Sequence, residues 1–187
     1  VTRIVAGTLG GRRIVAPPGA STRPTSDRVR EALFNALDTQ IELAGARFAD
    51  LYAGSGAVGL EALSRGAVHV LLVEGDPRAA RIARDNLAAL RATPAARLVT
   101  GKVAQVLAAG PDDGPYDVIF ADPPYAVPDE EITAMLAALV DQDWLAPDGV
   151  VVVERATRTG PVNWVRGITG ERGRRYGETT LWYGRRS

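Results

Sequence analysis

The sequence predicts an α/β fold: a doubly wound sheet of seven strands, mostly parallel with an antiparallel C-terminal strand, and a small β-hairpin ahead of it. Three observations carry this. From residue 47 onward, apolar runs of strand length (47–52, 68–74, 96–100, 116–121, 149–154) alternate with helical patterns (57–65, 78–91, 102–109, 129–140). The strands are near-continuously apolar, as strands covered on both faces are. The first of them runs through Gly54-x-Gly56-x-x-Gly59 into an apolar helix, the turn that opens a nucleotide-binding βαβ unit.

The remaining elements follow in order. Residues 3–6 and 12–16 are β-prone runs joined by Gly7-Thr8-Leu9-Gly10-Gly11, a hairpin with a glycine-rich turn. It lies outside the alternating pattern and is expected to add little to the core. Pro17-Pro18-Gly19 breaks the chain. A helix over 26–38 then follows, with Thr25 or Ser26 as N-cap and Val29, Leu33, Phe34 and Leu37 on its apolar face. At the other end, 162–169 and 179–184 read as an antiparallel pair, with Gly170-Glu171-Arg172-Gly173-Arg174-Arg175 connecting them. Trp144, Trp164 and Trp182 are expected in packing roles. The chain divides into an extension, 1–22, and a main domain, 23–187.

Composition narrows the function. At 187 residues the chain supports one sizeable core. No apolar stretch reaches membrane-spanning length and no signal-peptide pattern opens it, so a cytoplasmic protein without a membrane partner is expected. With no cysteine and one histidine, His69, disulfides, thiolate metal sites and histidine-based catalysis fall away, and no metal is expected. The zero net charge hides an asymmetry. Residues 1–30 carry +5, residues 31–154 carry −11 and residues 155–187 carry +6. Basic ends, nearly all arginine, suit bidentate phosphate contacts with a polyanion, although solvated surface charge would give the same count.

Two motifs carry the chemistry. Asp122-Pro123-Pro124-Tyr125 ends the apolar run 118–121. A carboxylate and a proline carbonyl can each accept one N–H of a planar amine, an aromatic face can stack on the base bearing it, and the prolines hold these groups in place beforehand. Taken alone, the tetrapeptide could be a plain turn. Upstream, Asp50-Leu51-Tyr52-Ala53-Gly54-Ser55-Gly56-Ala57-Val58-Gly59 supplies the glycine turn. The first glycine serves the tight turn, the second a close ligand, the third helix–strand packing. Glu74 ends the next strand, 20 residues beyond Gly54, the spacing of an acid that grips ribose hydroxyls. In a doubly wound sheet both loops open onto one crevice, where strand order reverses.

These residues resemble the Rossmann-like S-adenosylmethionine-dependent methyltransferases that act on exocyclic amines. Together with the stretch 23–35 (Arg-Pro-Thr-Ser-Asp-Arg-Val-Arg-Glu-Ala-Leu-Phe-Asn) and 53–66, they resemble the bacterial 16S rRNA (guanine(966)-N2)-methyltransferases over essentially the whole chain. The resemblance implies methyl transfer from S-adenosylmethionine to guanine N2 in 16S rRNA of the small ribosomal subunit or an assembly intermediate, by a monomer. It implies Asp122, Pro123 and Tyr125 as catalytic residues. Asp50, Tyr52, Gly54, Ser55, Gly56, Gly59, Glu74, Lys102, Val103 and Thr25 would hold the cofactor, and Arg3, Arg12, Arg13, Arg23, Arg28 and Arg30 the RNA. The chain departs from the pattern after the third strand. Many relatives carry Asp or Asn there, and Thr100-Gly101-Lys102-Val103 leaves backbone contacts for adenine. A stacked guanine cannot reach such a crevice, so it must be splayed or flipped out. The tetrapeptide equally suits adenine N6 of DNA or a protein glutamine, although 187 residues leave no room for a target-recognition domain. A non-catalytic nucleotide-binding module would need the glycines and Glu74 but not the tetrapeptide.

Overall fold

The computed structural model describes residues 2–17 and 26–187. Its elements run β1 (Thr2–Arg3), β2 (Arg13–Ile14), α1 (Asp27–Asp38), β3 (Arg47–Leu51), α2 (Ala57–Ser64), β4 (His69–Glu74), α3 (Pro77–Ala89) and β5 (Ala96–Thr100). There follow α4 (Val103–Ala109), β6 (Tyr116–Ala121), α5 (Asp129–Asp141), β7 (Leu145–Ala156), β8 (Ile168–Tyr176) and β9 (Thr179–Arg186). The sheet order is β5-β4-β3-β6-β7-β9-β8. β3 to β7 pair in parallel, and β9 and β8 complete the sheet antiparallel. Strand order reverses between β3 and β6, as a doubly wound sheet requires. No helix among the described residues is long and apolar enough to cross a membrane.

The two-residue period of the strands divides the core. Phe48, Val70, Leu72, Phe120 and Val152 face a layer holding Phe34 of α1 and Leu60 of α2. Leu51, Val73, Ile119 and Val153 face the opposite layer, where Leu107 of α4 and Leu136 of α5 pack. Ser26 caps α1, its side chain accepting from the Val29 amide.

The N-terminal hairpin is part of the body. Ile4 and Ile14 are 1% and 2% exposed and join the layer of Phe34 and Leu60, which corrects the expectation that the hairpin adds little to the core. Its backbone is held by side chains of α2: Val5 and Ala6 N–H donate to the Glu61 carboxylate (2.8 and 3.0 Å), and Leu9 N–H donates to Ser64 Oγ (2.8 Å). Helical periodicity does not reveal this contact, because Glu61 and Ser64 offer polar partners from a face that is otherwise apolar.

The C-terminal pair differs from expectation too. β8 runs through the segment read as its connection, and 162–167 precedes it. Gly170 and Gly173 signal a loop by composition, yet both sit in the strand because indole rings cover them. A Cβ on Gly170 would overlap the Trp164 ring, and one on Gly173 would lie 2.5 Å from Trp182 Cζ3. Gly184, paired with Gly170, also lies under Trp164. Aromatic cover of paired glycines restores the packing that a strand glycine lacks. Trp144 is buried, its Nε1–H donating to the Leu107 carbonyl at 2.9 Å. His69 Nε2 lies 3.1 Å from the Tyr116 hydroxyl, a structural role.

Candidate active site

One row of residues crosses the carboxyl ends of five adjacent strands. Leu51 pairs with Val73 and Ala121, Glu74 with Thr100, and Ala121 with Val153. The next position on each strand therefore sets Thr100, Glu74, Tyr52, Asp122 and Glu154 side by side. This brings Asp50 to Gly59, Glu74 and Asp122 to Tyr125 together at the switch point. A cavity of about 340 Å³, bounded by Ala46, Asp117 and Arg185, lies at the opposite end of the sheet and contains none of them.

The glycine turn is built as its spacing suggests, with one change of role. Gly54, at φ 57°, donates its N–H to Glu74 Oε1 at 2.7 Å, and a side chain there would meet nothing within 4 Å. Gly56, at φ 86°, caps α2 in the left-handed conformation, which only glycine adopts freely. A Cβ on it would lie 3.0 Å from Leu72, so it serves the turn and the packing against β4. Gly59 is where helix meets sheet: a Cβ would overlap Leu72 and lie 2.9 Å from Val70. Tyr52, at φ 60°, holds a left-handed conformation that is costly for a bulky residue. Burial pushes its phenol up to about 12, with Glu131 adding to the rise and Arg155 opposing it.

The two acids near this turn have distinct surroundings. Asp50 is 2% exposed and accepts the Gly59 N–H at 2.9 Å. Burial raises its carboxyl well above the ordinary range; the Gly59 bond opposes the rise and Glu74 adds to it. It supports the turn from beneath, where the sequence reading has it lining the methionine side. Glu74 is half-buried, and its second oxygen accepts the Asp76 N–H at 2.8 Å while its carbonyl accepts from Gly101. It thus ties together the loops after β3, β4 and β5. Each carboxylate oxygen keeps a further lone pair for a hydroxyl. Ser55 is buried; Lys102 is exposed and Val103 buried at the start of α4.

Asp122 is half-buried, its N–H 3.4 Å from the Leu51 carbonyl, and Pro123 is buried. Tyr125 stands 42% exposed. Arg3, Arg12, Arg13 and Arg28 are exposed. Arg30 is a correction. It is fully buried, pairs with Glu61 through Nε at 3.1 Å and with Asp27 at 3.0 Å, and donates to the Arg3 carbonyl. A guanidinium committed to these partners is a structural cation rather than a phosphate contact. Thr25 and Arg23 lie outside the described residues.

A family model described as conserved hypothetical protein 95 matches residues 2–185. The chain belongs to this family. Ribosomal RNA small subunit methyltransferase D of Escherichia coli is 40% identical over 166 residues, covering 87% of this chain and 80% of that protein. The solved structure of E. coli YhhF, named provisionally as a methyltransferase, superposes with a TM-score of 0.85 at 32% identity, covering 98% of this chain and 97% of that one. A magnesium protoporphyrin IX methyltransferase from Synechocystis, solved with bound S-adenosylmethionine, shares the fold at a TM-score of 0.66 and 17% identity, over 86% and 79% of the two chains.

In this member of the family, two residues at the site escape the sequence reading. Asn86 of α3, 3% exposed, donates to the carbonyls of Ser55 and Val15 and accepts from Val15 N–H, so one side chain joins the glycine turn to the hairpin segment. Arg155 of β7, 4% exposed, donates to the Val127 carbonyl at 2.9 Å beside the Asp-Pro-Pro-Tyr loop. In sequence it is one more arginine of the basic tail. The only available signal is its position directly after the buried run Val150-Val151-Val152-Val153-Glu154.

Proposed function

We propose that the protein methylates the exocyclic N2 amine of a guanine, of the position-966 type, in 16S rRNA of the small ribosomal subunit, using S-adenosylmethionine. The observation that carries this reading is the shared row at the switch point, where a nucleoside-gripping acid and glycine turn stand beside an amine-holding tetrapeptide. The kinship with ribosomal RNA small subunit methyltransferase D of E. coli supports the choice of RNA.

The residues fit the cofactor. The space beside Gly54 is open, Glu74 retains acceptor capacity for ribose hydroxyls, and the half-buried carboxylates of Glu74 and Asp122 suit a sulfonium cation. Glu74, Tyr52 and the backbone of Gly54 to Gly56 would hold it, with Lys102 and Val103 toward the adenine and Asp50 and Gly59 supporting the turn. S-adenosylmethionine supplies a methyl carbon that is already strongly electrophilic.

The chain's own task is therefore alignment. Asp122 and the Pro123 carbonyl accept the two N–H groups of the amine, which turns the nitrogen lone pair toward the glycine turn. Tyr125, exposed, stacks on the flipped base. Arg3, Arg12 and Arg13 on the hairpin, with Arg28 and Arg23, engage phosphates, so that 1–22 recognises RNA while 23–187 performs transfer.

Incubating the protein and labelled S-adenosylmethionine with free rRNA, assembled small subunits, DNA and protein tests this in one experiment. Label in N2-methylguanosine of 16S rRNA is expected. Label in adenine N6 or in protein would replace the proposed acceptor, and no transfer despite cofactor binding would favour a non-catalytic module.

A further inference from the structure

Arg155 is a buried cation of β7 whose side chain donates to backbone carbonyls of a loop, those of Pro124 and Val127. Its backbone is locked in the sheet, where Arg155 pairs with Thr180 of β9. Its side chain crosses to the loop after β6. Nη2 donates to the Val127 carbonyl at 2.9 Å, and Nη1 reaches the Pro124 carbonyl at 3.5 Å. Asp129, at the start of α5, lies 3.6 Å from Nη2 and supplies the counter-charge. Within the loop, Val127 N–H donates to the Pro124 carbonyl at 3.0 Å. The fork therefore holds both ends of the turn that displays Tyr125.

The geometry points to Arg155 as a positioning residue for the target base, fixing the Pro124–Val127 turn so that Tyr125 meets an incoming base in a set orientation. This rests on the reading of Asp122 to Tyr125 as the base-holding loop. A planar guanidinium can bond two carbonyls at once from a fixed plane, whereas an ammonium acts as a point charge on a flexible stem. At 4% exposure Arg155 has little water to take over these bonds, so it is held to the loop. The same cation opposes the rise of the Tyr52 phenol.

The role separates from a merely structural one by what it leaves untouched. Arg155→Lys keeps the charge and loses the fork. Arg155→Met loses both and keeps much of the apolar stem. Each is compared with wild type for cofactor affinity by calorimetry, single-turnover methyl transfer to small ribosomal subunits, and amide hydrogen exchange by mass spectrometry. Expected for Arg155→Lys are cofactor affinity within about twofold, transfer slowed by roughly tenfold or more, and faster exchange in the peptide containing Val127 but not in that containing Gly54 to Gly59. Arg155→Met should show the same pattern more strongly. If Arg155→Met does not fold, Arg155→Lys decides. Transfer within twofold of wild type, or a parallel loss of cofactor affinity, overturns the proposal. Should wild type itself methylate no substrate, the base-holding reading fails, and exchange alone then tests the latch: unchanged protection at Val127 overturns it, and lost protection upholds it.

Discussion

Glu61 concentrates more structure than any other charged side chain described above, so removing it should have a large and specific cost. It is fully buried, and it accepts from Val5 and Ala6 N–H, from Arg30 Nε at 3.1 Å and from Arg65 Nε at 2.9 Å. In Glu61→Ala, Arg30 stays fully buried with its main counter-charge gone. Breaking a buried pair in this one-sided way costs about 3–5 kcal/mol. Two hairpin amides lose their acceptors as well, but their partial exposure lets water recover part of that loss. For a chain of this size the total corresponds to a fall in melting temperature of roughly 10 °C. Chemical denaturation measures the cost, and hydrogen exchange locates it, with Val5 and Ala6 losing protection. The pair Glu61→Leu with Arg30→Met should be less destabilised than the sum of its parts by about 2 kcal/mol, because the fully buried Arg30 cation is no longer left without Glu61. A single-variant cost below about 1 kcal/mol, or additivity within about 0.5 kcal/mol, would refute the reasoning.

Three further outcomes are expected. Glu74→Ala should weaken S-adenosylmethionine binding about 10- to 100-fold, the worth of a charge-assisted hydrogen bond, and unchanged calorimetric affinity would remove Glu74 from the ribose site. Asp122→Ala should leave that affinity nearly intact while slowing single-turnover transfer by roughly 10²-fold; normal rates would exclude Asp122 from the chemistry. Asp50 has its carboxyl raised above the ordinary 3.8, chiefly by burial. The folded state thus binds the proton more tightly than the unfolded state, so Asp50 contributes stability at low pH that is lost as pH rises through the raised value. Asp50→Asn keeps the acceptor for Gly59 and does not titrate. Its stability relative to wild type should climb as pH increases above 3.8 and then level off; a difference independent of pH in denaturation curves would contradict this.

Most of the sheet was legible because a strand buried on both faces must be apolar throughout, and Val118 to Ala121 or Val70 to Val73 admit few other readings. That the glycine turn, Glu74 and Asp122 would gather at one end of the sheet was legible from glycine spacing and from acids at strand ends. What escaped depends on partners distant in sequence. Gly170 and Gly173 look like a loop until Trp164 and Trp182 are laid across them. Arg30 looks like a surface cation because its counter-charge, Glu61, lies on another helix. The hint was on that helix: Glu61 is the lone acid in the otherwise apolar run Ala57 to Leu63, which suits a buried pair better than a solvated charge. Arg155 is set apart chiefly by the loop carbonyls it reaches, and no side-chain pattern encodes where those will lie.

The seam between β3 and β6 also governs the order in which the protein can be made. β3 finds β4 after one helix, but Phe48 must wait for Val118 before its other edge is covered. A chain emerging from the ribosome can thus assemble hairpin, glycine turn and β3 to β5 while the inner edge of β3 still lacks its partner. Non-local strand pairing of this kind forms slowly, and an uncovered apolar edge is a template for unwanted association. The two halves of the candidate site are separated in time as well as in sequence. The half that would bind cofactor is complete early, and the half that would bind the amine arrives with the strand that closes the edge. Insertion of β6 therefore joins them and covers the inner edge of β3 in the same step, passing the open edge on to β7.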